Sequence, residues 1–93
     1  MARKLFGRHA GGPQRHVDGL NELLNRLSSA NSMNDVTSVQ YAALTAGLPS
    51  ALNPLARINS AMGCANQQRW RPARNALRGV LEDFVSKLAP SPG

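Results

Sequence analysis

Residues 70–88, WRPARNALRGVLEDFVSKL, decide the fold of this chain. Pro72 suits the first turn of a helix, where its missing N–H leaves no bond unmade and its fixed φ is already helical. A helix is therefore predicted over 71–88. At about 100° per residue, Ala73, Leu77, Val80, Leu81, Phe84 and Leu88 share one face. Arg71, Arg74 and Arg78 form a stripe along its flank. The face asks for a core, and the flank presents positive charge.

Working back from this helix, Asn53-Pro54 places a cap residue before a proline at the first helical position and predicts a helix over 53–68. Leu55, Ile58, Ala61, Met62 and Ala65 make its inward face. The segment PSALN at 49–53 reads either as a further turn of that helix or as a short separate one, since Pro54 permits a kink or a fresh start. Before it, a helix is predicted over 35–46, capped by Asn34 or Asp35 and ended by Gly47 and Pro49. Val36, Val39, Ala42, Ala43 and Ala46 line a narrow face that another helix can approach closely. Tyr41 and Leu44 fall off that face; the expectation for a central helix is wider burial, the alternative an exposed contact patch. After the GGP break at 11–13, Val17, Leu20, Leu23, Leu24 and Leu27 recur at helical spacing and predict a first helix over 14–29. The fold class is thus all-α, a bundle of about four helices. It forms one domain over 14–89, with a flexible basic arm at 1–13 and a frayed tail at 90–93.

A chain of 93 residues with 4% aromatics and 42% apolar residues has a thin core of closely packed helices and little stability to spare. Self-association would add to it, and a homodimer is expected. Cys64 is the only cysteine, which excludes an intramolecular disulfide and fits a reducing, cytoplasmic location. No apolar run is long enough to span a bilayer, and no apolar stretch follows the N-terminal charges as in a secretory signal.

Catalysis finds little support. His9 and His16 have no spaced second ligand for a metal. Adjacent Glu82 and Asp83 diverge by about 100° on a helix and cannot serve one substrate as a pair. Arg78 and Glu82 instead have the spacing of a surface ion pair. Cys64 has no neighbouring base and reads as a packing residue. No glycine-rich loop joins a strand to a helix. No catalytic residue, metal or cofactor is expected.

Charge speaks more clearly. The formal net charge is +6 and nine of the eleven cations are arginine, the side chain suited to bidentate contact with phosphate or carboxylate. Between Asp35 and Glu82 there is no acid, while Arg57, Arg69, Arg71, Arg74 and Arg78 all fall inside that interval. Arginines supply phosphate contacts and Trp70 can stack on a base or a guanidinium, so these six residues are the candidate nucleic-acid surface. Arg3, Lys4 and Arg8 would add mobile charge from the arm. The alternative is that Trp70 closes the core and the arginines form a solvated flank or pair with Asp18 or Glu22. Residues 39–58 resemble the helix-turn-helix DNA-binding motif at Ala43, Gly47 and Leu48, but depart from it at Asn53 and Pro54, where the recognition helix needs a buried aliphatic residue. Two functions are therefore expected of a non-enzymatic accessory or regulatory protein. One is nucleic-acid binding through the arginines. The other is a regulator, adaptor or inhibitor that docks on an acidic face of a larger protein, with Tyr41 and Leu44 in the contact. A membrane-surface helix is disfavoured by Glu82 and Asp83.

Overall fold

A computed structural model of the chain describes residues 14–64 and 69–89, Cys64 through its backbone only. The basic arm, the tail from residue 90, the extension of the third helix over 65–68 with Ala65, and the packing of Cys64 lie outside the described residues. The elements are α1 (Arg15–Ser28), α2 (Met33–Leu44), a 3-10 turn (Ser50–Leu52), α3 (Pro54–Cys64) and α4 (Trp70–Leu88). The all-α bundle expected from the sequence is what forms.

Each helix runs antiparallel to the next. Near the α1–α2 turn the Arg26 guanidinium donates to Ser38 Oγ at 2.9 Å, while Arg15 and His16 share a groove with Ala46 and Leu48 at the opposite end. Gln40 Nε2 donates to Asn59 Oδ1 at 3.3 Å between α2 and α3, and Arg57 meets Asp83 at 2.7 Å between α3 and α4. This is an up-down-up-down bundle. The α1–α4 contact, between first and last helices, is the most extensive and closes the ring.

The core is built from one stripe per helix. Leu20 and Leu27 of α1, Val36 and Val39 of α2, Ile58 of α3, and Leu77, Leu81 and Phe84 of α4 are all buried. Among the described residues no polar or charged residue is buried as a whole, so the core stripes are apolar throughout. Trp70, Val80 and Leu88 are partly buried against this cluster.

The ends of the helices are where sequence expectation needs correcting. It is Ser32, not Asn34 or Asp35, that caps α2. Its Oγ accepts from the Asp35 N–H at 3.2 Å while the Asp35 carboxylate accepts from the Asn31 N–H at 3.1 Å, a reciprocal arrangement akin to the capping box. The helix also stops at Leu44, short of Ala46, and the Thr45 hydroxyl donates to the carbonyls of Tyr41 (2.9 Å) and Ala42 (3.3 Å) in its last turn. Ala46 thus lies past the helix and is exposed rather than inward. Gly47 does take the left-handed conformation, at φ 72. The PSALN segment forms its own turn, closed by the Asn53 N–H bond to the Ser50 carbonyl at 2.9 Å. Asn53 itself sits at φ 55, which separates that turn from α3.

Two apolar side chains also differ from expectation. Leu55, placed inward by its spacing, is 63% exposed, because α3 buries only a narrow stripe centred on Ile58 and Leu55 falls beyond its edge. Tyr41 is 64% exposed, so the wider burial expected for α2 reaches Leu44, which packs partly against the core, and stops there.

Gly79 lies inside α4 on its exposed side, and a Cβ added there would meet nothing within 4 Å. Gly79→Ala is expected to stabilise the domain by about 0.5–1 kcal/mol, because alanine loses less backbone freedom on helix formation. Thermal unfolding followed by circular dichroism should show a midpoint higher by several degrees.

Candidate nucleic-acid interface

The start of α4 assembles the candidate surface. Arg69 has extended backbone angles and offers the helix no side-chain cap, and no acid occupies the first turn. Pro72 carries no N–H, and among the described residues no side chain caps the N–H groups of Trp70 and Arg71 at the positive end of the helix dipole. Trp70 answers both sequence readings at once. It is partly buried against the core, and it lines a surface cleft of about 370 Å³ with Arg69, Arg71 and Pro72.

Two arginines use the indole as a support. The guanidinium carbons of Arg71 and of Arg74 each lie 5.3 Å from the Trp70 ring centroid, inside the range of cation–π attraction. Arg74 Nε is buried without a hydrogen-bond partner. Arg78 does not pair with Glu82 as its spacing predicts; its Nη2 donates to Asn75 Oδ1 at 3.3 Å. Among the described residues none of Arg69, Arg71, Arg74 and Arg78 forms an ion pair, the two pairs present being Arg57–Asp83 and Lys87–Asp83. The pairing of the stripe with Asp18 or Glu22 does not occur. Trp70 therefore holds cations in place more than it offers a bare ring face for a base.

Arg57 is separated from this group. Its guanidinium carbon lies 5.1 Å from the Phe84 ring centroid and its Nη1 donates to Asp83 at 2.7 Å. Asp83 stands twelve residues along α4 from Arg71, about 18 Å at 1.5 Å per residue. The candidate surface is thus Arg69, Trp70, Arg71, Arg74 and Arg78, without Arg57.

Asp83 is the residue the sequence reading missed as a structural centre. Lys87, bonded at 2.6 Å, and Arg57 hold its carboxyl below the ordinary aspartate range. The only sequence signal was the i,i+4 spacing of Asp83 and Lys87. A carboxyl whose pKa is lowered on folding stabilises the fold above its unfolded pKa, and that contribution fades as pH falls through the folded value. The thermal midpoint of the wild type should thus exceed that of Asp83→Asn at neutral pH, and the gap should close below the aspartate range in a pH series of melts.

Charge is divided between the two halves of the bundle. From residue 36 to residue 68 the only charged side chain is Arg57, already matched by Asp83. All other charges of the described residues except Asp35 lie on α1 and α4 or at Arg69.

Among the described residues no group of three His, Cys, Asp or Glu side chains gathers to hold a metal ion, and no helix is long and apolar enough to cross a membrane. No family model matches the chain, and no curated protein or solved structure matches it.

Proposed function

We propose that the chain is a non-enzymatic nucleic-acid-binding protein that contacts the phosphate backbone through Arg69, Arg71, Arg74 and Arg78. The observation that carries this reading is the pair of guanidinium groups stacked on Trp70, without carboxylate partners, at the uncapped start of a 19-residue helix. Arginines held in place by an aromatic support lose less freedom on meeting a phosphate than arginines waving in solvent. Because the indole is already engaged by its own arginines, contact is with backbone more than base, and little sequence preference is expected. The test is a salt titration of binding to labelled duplex and single-stranded DNA and RNA. Three to four phosphate contacts predict a slope of log affinity against log salt of about −3 to −4 on duplex DNA. Absence of binding at low salt would sink the reading.

A second reading is favoured by Tyr41, whose exposure of 64% is large for an aromatic residue. In it the protein is a regulator or adaptor that docks on a larger partner through Tyr41, the partly buried Leu44 and the arginine surface. Binding would then be specific to one protein and indifferent to generic nucleic acid.

A further inference from the structure

We propose that Glu82 bounds the arginine surface of α4, a carboxylate that stops the run of bound phosphates at Arg78 and holds the affinity down; this rests on the phosphate-binding reading above. At about 100° per residue Arg71, Arg74 and Arg78 lie within about 60° of one another on the helix. Glu82, four residues past Arg78, falls about 40° from it on the same flank. The arginines occupy about 10.5 Å of helix, and the carboxylate follows about 6 Å further on. The line of positive charge therefore ends in a negative one.

Nothing in the bundle neutralises that end. Glu82 is exposed and, among the described residues, forms no ion pair. Arg78, the partner its spacing offers, donates to Asn75 instead. The one cation of α4 beyond Arg78 is Lys87, and it is bonded to Asp83 at 2.6 Å. Asp83 lies about 140° round the helix from Arg78, on the flank where Arg57 of α3 meets it. Past Arg78 the arginine flank thus carries Glu82 as its only charge. A phosphate seated on Arg78 lies about one helical turn from this carboxylate, inside the screening length of about 8 Å at physiological salt. The two repel, so Glu82 weakens the last contact of the stripe and turns away the phosphate that would come next.

The experiment is a salt titration of the full chain on a labelled DNA duplex, comparing the wild type with Glu82→Gln and Glu82→Arg. Glu22→Gln and Glu22→Arg serve as controls, since they make the same changes of net charge at an exposed position on α1. Near 0.1 M salt Glu82→Gln should tighten binding about threefold, by removing the repulsion. Glu82→Arg should tighten it about tenfold and steepen the slope of log affinity against log salt by about 0.9, the mark of one added phosphate contact. The slope is the reading that a purely structural role for Glu82 would not move. Both Glu22 variants should keep the wild-type slope and shift affinity far less, with circular dichroism unchanged throughout. If the wild type binds and reversal of Arg71, Arg74 and Arg78 abolishes binding, yet the Glu82 variants match the wild type, the boundary is overturned and the phosphate reading stands. Glu22 variants that tighten binding as much as their Glu82 counterparts also overturn it, by reducing the effect to net charge. A wild type that binds no nucleic acid at low salt removes both.

Discussion

Reversing Arg71, Arg74 and Arg78 to glutamate is expected to abolish nucleic-acid binding while leaving the helical content intact. The change takes the formal net charge from +6 to about zero and turns three points of attraction into three of repulsion along one flank of α4. On duplex DNA each lost phosphate contact removes about 0.9 from the slope of log affinity against log salt, and affinity near 0.1 M salt should fall by about a thousandfold or more. Arg71 is exposed and Arg74 and Arg78 are only partly buried, so the core does not need these charges. Arg74 has a buried nitrogen without a hydrogen-bond partner, and the double variant Arg71→Glu, Arg78→Glu checks that its loss is not acting through the fold. Fluorescence anisotropy across salt, with circular dichroism on each variant, decides the matter. Undiminished affinity in the folded triple variant would move the interface elsewhere.

Phe84→Ala should be the most damaging single core substitution. The ring is fully buried and meets Leu77, Leu81 and Ile58 in one cluster, with the Arg57 guanidinium 5.1 Å above it. Truncating a buried phenylalanine costs about 3–5 kcal/mol, through lost transfer energy and the cavity left behind. Here the substitution also removes the aromatic surface on which the Arg57–Asp83 pair rests. Domains as a class hold only about 5–15 kcal/mol in total, and a core this thin belongs at the lower end. Urea unfolding should find the variant largely unfolded, or with its midpoint reduced by more than half. Glu82→Ala, on the exposed side of the same helix, should change stability by less than about 0.5 kcal/mol.

The buried stripes of α1 and α4 were legible because both helices are long enough for a 3.6-residue period to stand out. Ala73, Leu77, Leu81 and Phe84 are inside as their spacing requires. The start of α2 was not legible, because it turns on which of several hydroxyl and carboxylate side chains wins a backbone partner, and Ser32 wins. Leu55 misled for another reason. Periodicity shows which residues share a face, but the width of the face a helix can bury depends on how many neighbours it has. The arginine cluster around Trp70 could be located from RWRPAR, since adjacency in sequence becomes adjacency on one helical turn. Its internal arrangement could not, and neither could the capture of Arg57 by Asp83, which depends on the register of two helices.

The closing contact between α1 and α4 bears on how the chain comes to be folded. The most extensive partner of α1 is α4, the described helix furthest from it in sequence, so the buried stripe of Leu20, Leu23 and Leu27 is closed by a contact of long sequence separation. No first half of this chain can commit to the native core on its own. The α1–α2 hairpin covers one side of the α1 leucines, and the helix furthest from it along the described chain closes the other.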